Sequence, residues 1–179
     1  GQKAKDSSVS ITETGVRIKQ SATDIVDAYT KIGSQRPELL KNKEALAKVT
    51  EAAIVLSEAA KSKLEPVTLV LTTTMNQFNL GASEVNRIIN TLAAGSLVGA
   101  GEIPYLTEVL EKSGTTANLM GISIEQMTGI IEGIAPKFRM AEVAGTALDR
   151  VFLEMRKRGI GFKDGVFDIN RAIDELSVR

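Results

Sequence analysis

Helical spacing interrupted at short intervals is the feature that most limits what this chain can become. Apolar residues recur every three or four positions along most of its length, the period at which side chains share one face of an α-helix. The runs are short, and Gly33, Gly81, Gly95, Gly114 and Pro136 fall where they break. Glycine favours the left-handed residue that ends many helices, and proline lacks the amide that would extend one. No heptad pattern persists long enough for a continuous coiled coil. The expected architecture is all-α: a compact multi-helix domain of about seven or eight short-to-medium helices.

The first helix is expected after Ser21, with Ile25, Val26, Tyr29 and Ile32 on one face and Gly33 at its end. Pro37 suits the start of a new turn, whose first amides have no helical partner to lose. Asn42 then separates it from a longer helix carrying Leu46, Val49, Ala53, Leu56 and Ala60. Ser62 with Glu65 forms a capping-box pattern before a helix through Leu69, Val70, Met75 and Phe78 that Gly81 closes. Ser83 opens a helix with Val85, Ile88, Ile89 and Leu92, and Gly95 caps its end. Gly99 and Gly101 make the connection into a helix at Pro104, which carries Leu106, Val109 and Leu110 as far as Gly114. Ser123 with Gln126 is a second capping box, ahead of Met127, Ile130, Ile131 and Ile134; Pro136 stops that helix. The last long helix, about Met140 to Arg158, presents Val143, Ala147, Val151 and Met155 as its stripe. Residues 159–167 read as a turn-rich or hairpin element around Asp164-Gly165, followed by a helix from about Asp168. NLGASEVNRIINTL at Asn79 and NLMGISIEQMTGIIEGI at Asn118 share a plan. This leaves a duplicated helical hairpin open, while two copies are too few for a solenoid.

The chemistry is defined by what the residues exclude. With 22 basic and 22 acidic residues the formal net charge is zero, without the basic excess of a nucleic-acid binder. Cysteine and histidine are both absent, removing disulfides, thiolate sites, the commonest general base and the commonest zinc ligand. GSLVGAG lacks the lysine of a phosphate loop and follows a helical pattern, not a strand. The longest uncharged interval, Pro66 to Ser83, holds seven Thr, Asn and Gln residues and makes a poor membrane span. Glu108 and Glu111 could act as an acid–base pair, but nothing converges on them. The MRKR cluster, Met155 to Arg158, suits the negative end of a helix dipole, and AGTAL, Ala144 to Leu148, suits close packing on a neighbour. No catalytic, cofactor-binding or metal-ligating residue is assigned, and no enzyme activity is expected.

Four blocks in order carry a family likeness: GSQRPELL (Gly33–Leu40), MNQFNLGASE (Met75–Glu84), LAAGSLVGAGEIPYL (Leu92–Leu106) and AGTALDRVFLEM (Ala144–Met155). Together they resemble the core region of phage tail tape-measure proteins from about Thr12 through Arg158. The sequence departs from that pattern at Ala135–Arg139, where the family often has a glycine-rich turn. The resemblance implies a structural role: setting tail length and templating polymerisation of the tail tube. It implies a place in the virion tail lumen, and in the host cytoplasm during assembly or when a prophage encodes it. The implied partners are the tail-tube protein, tail assembly chaperones and baseplate or tail-tip proteins, with self-association as a further contact. Neither a nucleic-acid partner nor a membrane span is expected. On this reading residues 1–11 are a polar N-terminal segment whose Gly1 is a cloning scar. Residues 12–158 are the helical core domain, and 159–179 a connector and C-terminal helix leading into further chain. A helical adaptor unrelated to phage, or a non-catalytic piece of a tail-associated cell-wall hydrolase, are the alternatives.

Overall fold

The computed structural model describes residues 21–98 and 102–177. Expectations for residues 1–20, including the polar N-terminal segment, and for Gly99 and Gly101 lie outside the described residues. Eight α-helices occur among those described: α1 (Ala22–Gln35), α2 (Lys43–Ala59), α3 (Leu64–Gln77), α4 (Val85–Val98), α5 (Ile103–Leu119), α6 (Ile124–Ile134), α7 (Ala141–Arg158) and α8 (Ile169–Ser177). Pro37–Lys41 and Ala82–Glu84 are 3-10 turns. The expected hairpin is present: strands β1 (Phe162–Lys163) and β2 (Val166–Phe167) pair antiparallel, with Phe162 opposite Phe167. Asp164 and Gly165 both have positive φ, 54° and 81°, as the tight two-residue turn requires.

The helices stack by alternation. α1 packs on α3, α3 on α5 and α5 on α7, while α2 packs on α4 and α4 on α6. Cross-links rise in step along each pair: Lys31 meets Glu65, Gln35 meets Thr72 and Arg36 meets Asn76, so α1 and α3 run parallel. Thr116 to Asp149 and Lys112 to Glu142 set the same sense for α5 and α7. Two layers result, α1, α3, α5 and α7 in one and α2, α4 and α6 in the other. α3 and α5, covered on both sides, supply much of the core: Leu71, Met75, Leu106 and Leu110 are fully buried.

Central burial explains the uncharged Pro66–Ser83 interval. Thr68 and Thr72 lie in the interior of α3 and donate to the carbonyls of Leu64 and Thr68, both at 2.8 Å. Thr107 and Ser113 do the same in α5, donating to Ile103 and Val109. A hydroxyl satisfied by its own helix enters a core without the cost of an unpaired polar group.

Helix ends separate what local chemistry fixes from what packing fixes. Ser21 caps α1, accepting from the Asp24 amide, Asn42 caps α2, and Ser123 with Gln126 forms the complete capping box of α6. Ser62 does not cap α3: its amide donates to the Ser57 carbonyl in closing α2, and Glu65 turns to Lys31 instead. Ser83 sits inside the 3-10 turn and caps nothing.

Four of the glycines expected to end or cap helices are not at helix ends. Gly33, Gly95 and Gly114 lie inside α1, α4 and α5 and are buried; Gly81, with φ −89°, follows the end of α3 by several residues. Each internal glycine marks a close approach. A Cβ at Gly33 would stand 2.6 Å from Leu40 Cδ2, at Gly95 2.6 Å from Thr128 Cγ2, and at Gly114 3.1 Å from Gln77 Cβ. Helix closure falls to Lys61, Asn79, Gly121 and Gly159, all with positive φ. The following amides (Ser62, Leu80, Ile122 and Ile160) reach back five residues to Ser57, Met75, Ala117 and Met155, the Schellman arrangement.

The buried stripe of α7 also differs from expectation. Ala141, Ala144, Gly145, Leu148, Phe152 and Met155 face inward, whereas Val143 and Val151 are exposed. The small residues decide this register, because they let α7 lie almost against the α5 backbone. A Cβ at Gly145 would be 2.8 Å from Lys112 Cβ and 3.1 Å from Val109 Cα.

Candidate interaction surfaces

Parallel odd helices bring their N-termini to one edge of the stack, and two grooves open there. The first, about 570 Å³, lies between α1 and α3 and is lined by Asp24, Asp27, Lys31, Lys63, Glu65 and Thr68 among others. Its charges largely answer one another; Lys31 Nζ is 2.9 Å from Glu65 Oε1. That contact lowers the Glu65 pKa, so this carboxylate is held ionised instead of being tuned to carry a proton.

The second groove, about 530 Å³, lies between the starts of α5 and α7, with Glu102, Tyr105, Glu108, Arg139, Met140 and Glu142 on its walls. Tyr105 donates to the Phe138 carbonyl at 2.7 Å and so ties the α6–α7 connection to α5. Burial, and then the charge of Glu132, raise its phenol pKa, the wrong direction for a phenolate nucleophile. Of the carboxylates weighed as an acid–base pair, Glu108 lies in this groove while Glu111 is exposed, with its carbonyl accepting from Gln77. The described residues include no group of three or more acidic side chains placed to hold a metal ion.

The strongest surface contact braces the even layer. Arg87 on α4 makes a two-pronged bond to Glu125 on α6, at 2.6 and 2.9 Å, and a third to Glu84 at 3.2 Å. The Arg87 hydrogen bond pulls the Glu125 pKa down from 4.5 to about 2, and the Arg87 pKa is raised. A carboxylate with a depressed folded pKa adds stability above its unfolded pKa and loses that contribution as pH falls through the folded value. The window here is therefore from about pH 4.5 down to 2. Because Glu125 is 45% exposed, solvent screening limits the gain to about 0.5–1 kcal/mol. Glu125→Gln is expected to remove that much stability at pH 7 and almost none at pH 2, as read from urea unfolding at the two pH values.

The MRKR cluster divides: Met155 is core, while Arg156, Lys157 and Arg158 are exposed in the last turn of α7, with Arg158 bonded to Glu154 at 2.6 Å. AGTAL meets α5 as its small residues suggest. One surface escaped the sequence reading. Met140, Val143 and Val151 are 65%, 48% and 47% exposed, and with half-buried Ala147 they form an outward stripe three turns long. Spacing places these valines in the core, because it cannot say which of two apolar stripes faces inward. The sequence signal that distinguishes them is size: the stripe containing Ala144 and Gly145 is the one a close neighbour needs.

No described helix is long and apolar enough to cross a membrane. A family model described as phage-related minor tail protein matches residues 3–174. No curated protein and no solved structure matches the chain.

Proposed function

The chain belongs to the phage-related minor tail protein family, and from that membership we propose that it is the core region of a tape-measure protein. Membership supports a structural role in the phage tail, and other tail proteins are the partners that role calls for. The finer assignment is supported by the four ordered blocks that resemble the tape-measure core. The match over residues 3–174 carries the tail role, since it takes in both layers of the stack; the ordered blocks carry the step from there to a tape measure.

In this role residues 12–158 are the working helical unit and residues 159–179 a connector. The unit contributes contacts, not length: its helices fold back on one another and add little to the reach of a ruler. It works without catalysis or cofactor, inside the tail tube, where the tube protein, assembly chaperones and tip proteins are its candidate neighbours.

In-frame deletion of this segment from the parent gene tests the role, with particles counted and measured by electron microscopy. The expected result is failed tail assembly. Tails normal in number and length would overturn the assignment. Shortening by the full helical length, about 270 Å at roughly 1.5 Å per residue, would overturn the compact unit in favour of an extended rod.

A further inference from the structure

Helices of the odd layer do not all meet in the same way. α5 and α7 approach closely at Gly145, whereas the seam between α1 and α3 is crossed by polar contacts along its length. α3 turns Glu65, Thr68, Thr72 and Asn76 towards α1, a row at helical spacing. α1 answers with Lys31 and Gln35, and Arg36 follows at its end. One end of the seam is open: the groove of about 570 Å³ lies along its N-terminal half. The contact that crosses there is the Lys31–Glu65 pair, whose carboxylate side chain is 79% exposed and therefore holds weakly. The other end is fixed. Arg36, its side chain 13% exposed, bonds Glu38 and donates to Asn76 Oδ1 and the Leu80 carbonyl, both at 3.1 Å.

We propose that α1 is a hinged lid, swinging off α3 about Arg36 as a unit while α2–α7 stay folded. Three features keep the open state within reach. α1 ends its layer, packing on α2, α3 and the turn that follows it. It buries Ile25, Ala28, Ile32 and Gly33, and α5 buries twice as many residues. What the lid uncovers is already satisfied: Thr68 and Thr72 keep their bonds to the Leu64 and Thr68 carbonyls within α3. No buried hydroxyl is stranded, and Lys31, Gln35 and Glu65 return to water. Ile25 and Ile32 have no exposed surface, and the loss of their burial keeps the closed state dominant. The lid is thus closed at rest and opens as a minority state, gating access to the Glu65–Thr68–Thr72 face of α3. This hinge follows from the α1–α3 geometry alone and does not depend on the tape-measure assignment.

The chain contains no cysteine, so a single introduced thiol reports on its own site. Thr72→Cys lies under the lid and Ser113→Cys in α5, at positions that both have no exposed surface. Without denaturant, Thr72→Cys is expected to react with a soluble aromatic disulfide at least about 100-fold faster than Ser113→Cys. Its rate should also rise less steeply with urea, because opening the lid exposes less surface than unfolding the chain. Leu106→Ala, in the core of α5, should then speed labelling at Ser113→Cys at least about tenfold and leave Thr72→Cys within about twofold. Hydrogen exchange of the unaltered chain, read by mass spectrometry, covers the case in which a cysteine variant fails to fold. Residues 22–35 should exchange ahead of α3 and α5 and with the smaller urea dependence. Equal labelling rates at the two thiols, equal urea slopes, a Leu106→Ala substitution that accelerates both, or protection of α1 equal to that of α3 would each overturn the lid.

Discussion

Gly145→Val is expected to destabilise the protein by about 3 kcal/mol or more, a large part of the roughly 5–15 kcal/mol that holds a domain folded. The reason lies on the other side of the α5–α7 contact. A single added Cβ would already meet Lys112 Cβ at 2.8 Å and Val109 Cα at 3.1 Å. Neither atom is the free end of a flexible side chain, so relief requires the two helices to move apart. That movement would unseat Leu148 and Phe152, buried on the same face. Valine's two further methyl carbons deepen the clash. Gly129→Ala is the matched opposite. Gly129 lies within α6, and a Cβ there would meet nothing within 4 Å. Alanine's helix propensity should then raise stability by about 0.5–1 kcal/mol. Urea unfolding followed by circular dichroism measures both. Equal effects of the same sign at the two sites would refute the close approach of α5 and α7.

Leu71→Ala in α3 is expected to cost about 2–5 kcal/mol. Leu71 has no exposed surface and lies on a helix held between α1 and α5 as well as against α2 and α4. With neighbours on several sides, no single element can relax into the space left behind, so the cavity persists and adds to the lost transfer energy. Leu119→Ala, at a site 60% exposed, should stay within about 0.5 kcal/mol. Unfolding midpoints that failed to separate these two leucines would show that α3 is not the centre of the core.

Much of the fold was legible because its signals are local. Ser21, Asn42 and Ser123 cap helices through bonds spanning three residues, and the Asp164-Gly165 turn needs only its own backbone preference. The Ser62 pattern failed although the same local grammar applied. Lys61 in the left-handed region spends the Ser62 amide on closing α2, and Lys31, far away in sequence, takes Glu65. The candidate surfaces were less legible. Arg87 and Glu125 are 38 residues apart, and nothing near either position announces the other.

Periodicity, punctuation and composition by themselves determined an all-α fold of about eight helices with a hairpin near its end, and four ordered blocks pointed to a phage tail. Tertiary structure alone decided what the glycines were for. A glycine closing a helix and a glycine admitting a neighbour look alike in sequence, because both roles follow from the missing Cβ. Gly121 and Gly159 close helices; Gly95 and Gly145 admit α6 and α5. The same ambiguity governed α7, whose two apolar stripes have equal helical spacing. Only the distance to α5 settled which stripe is buried and which remains exposed.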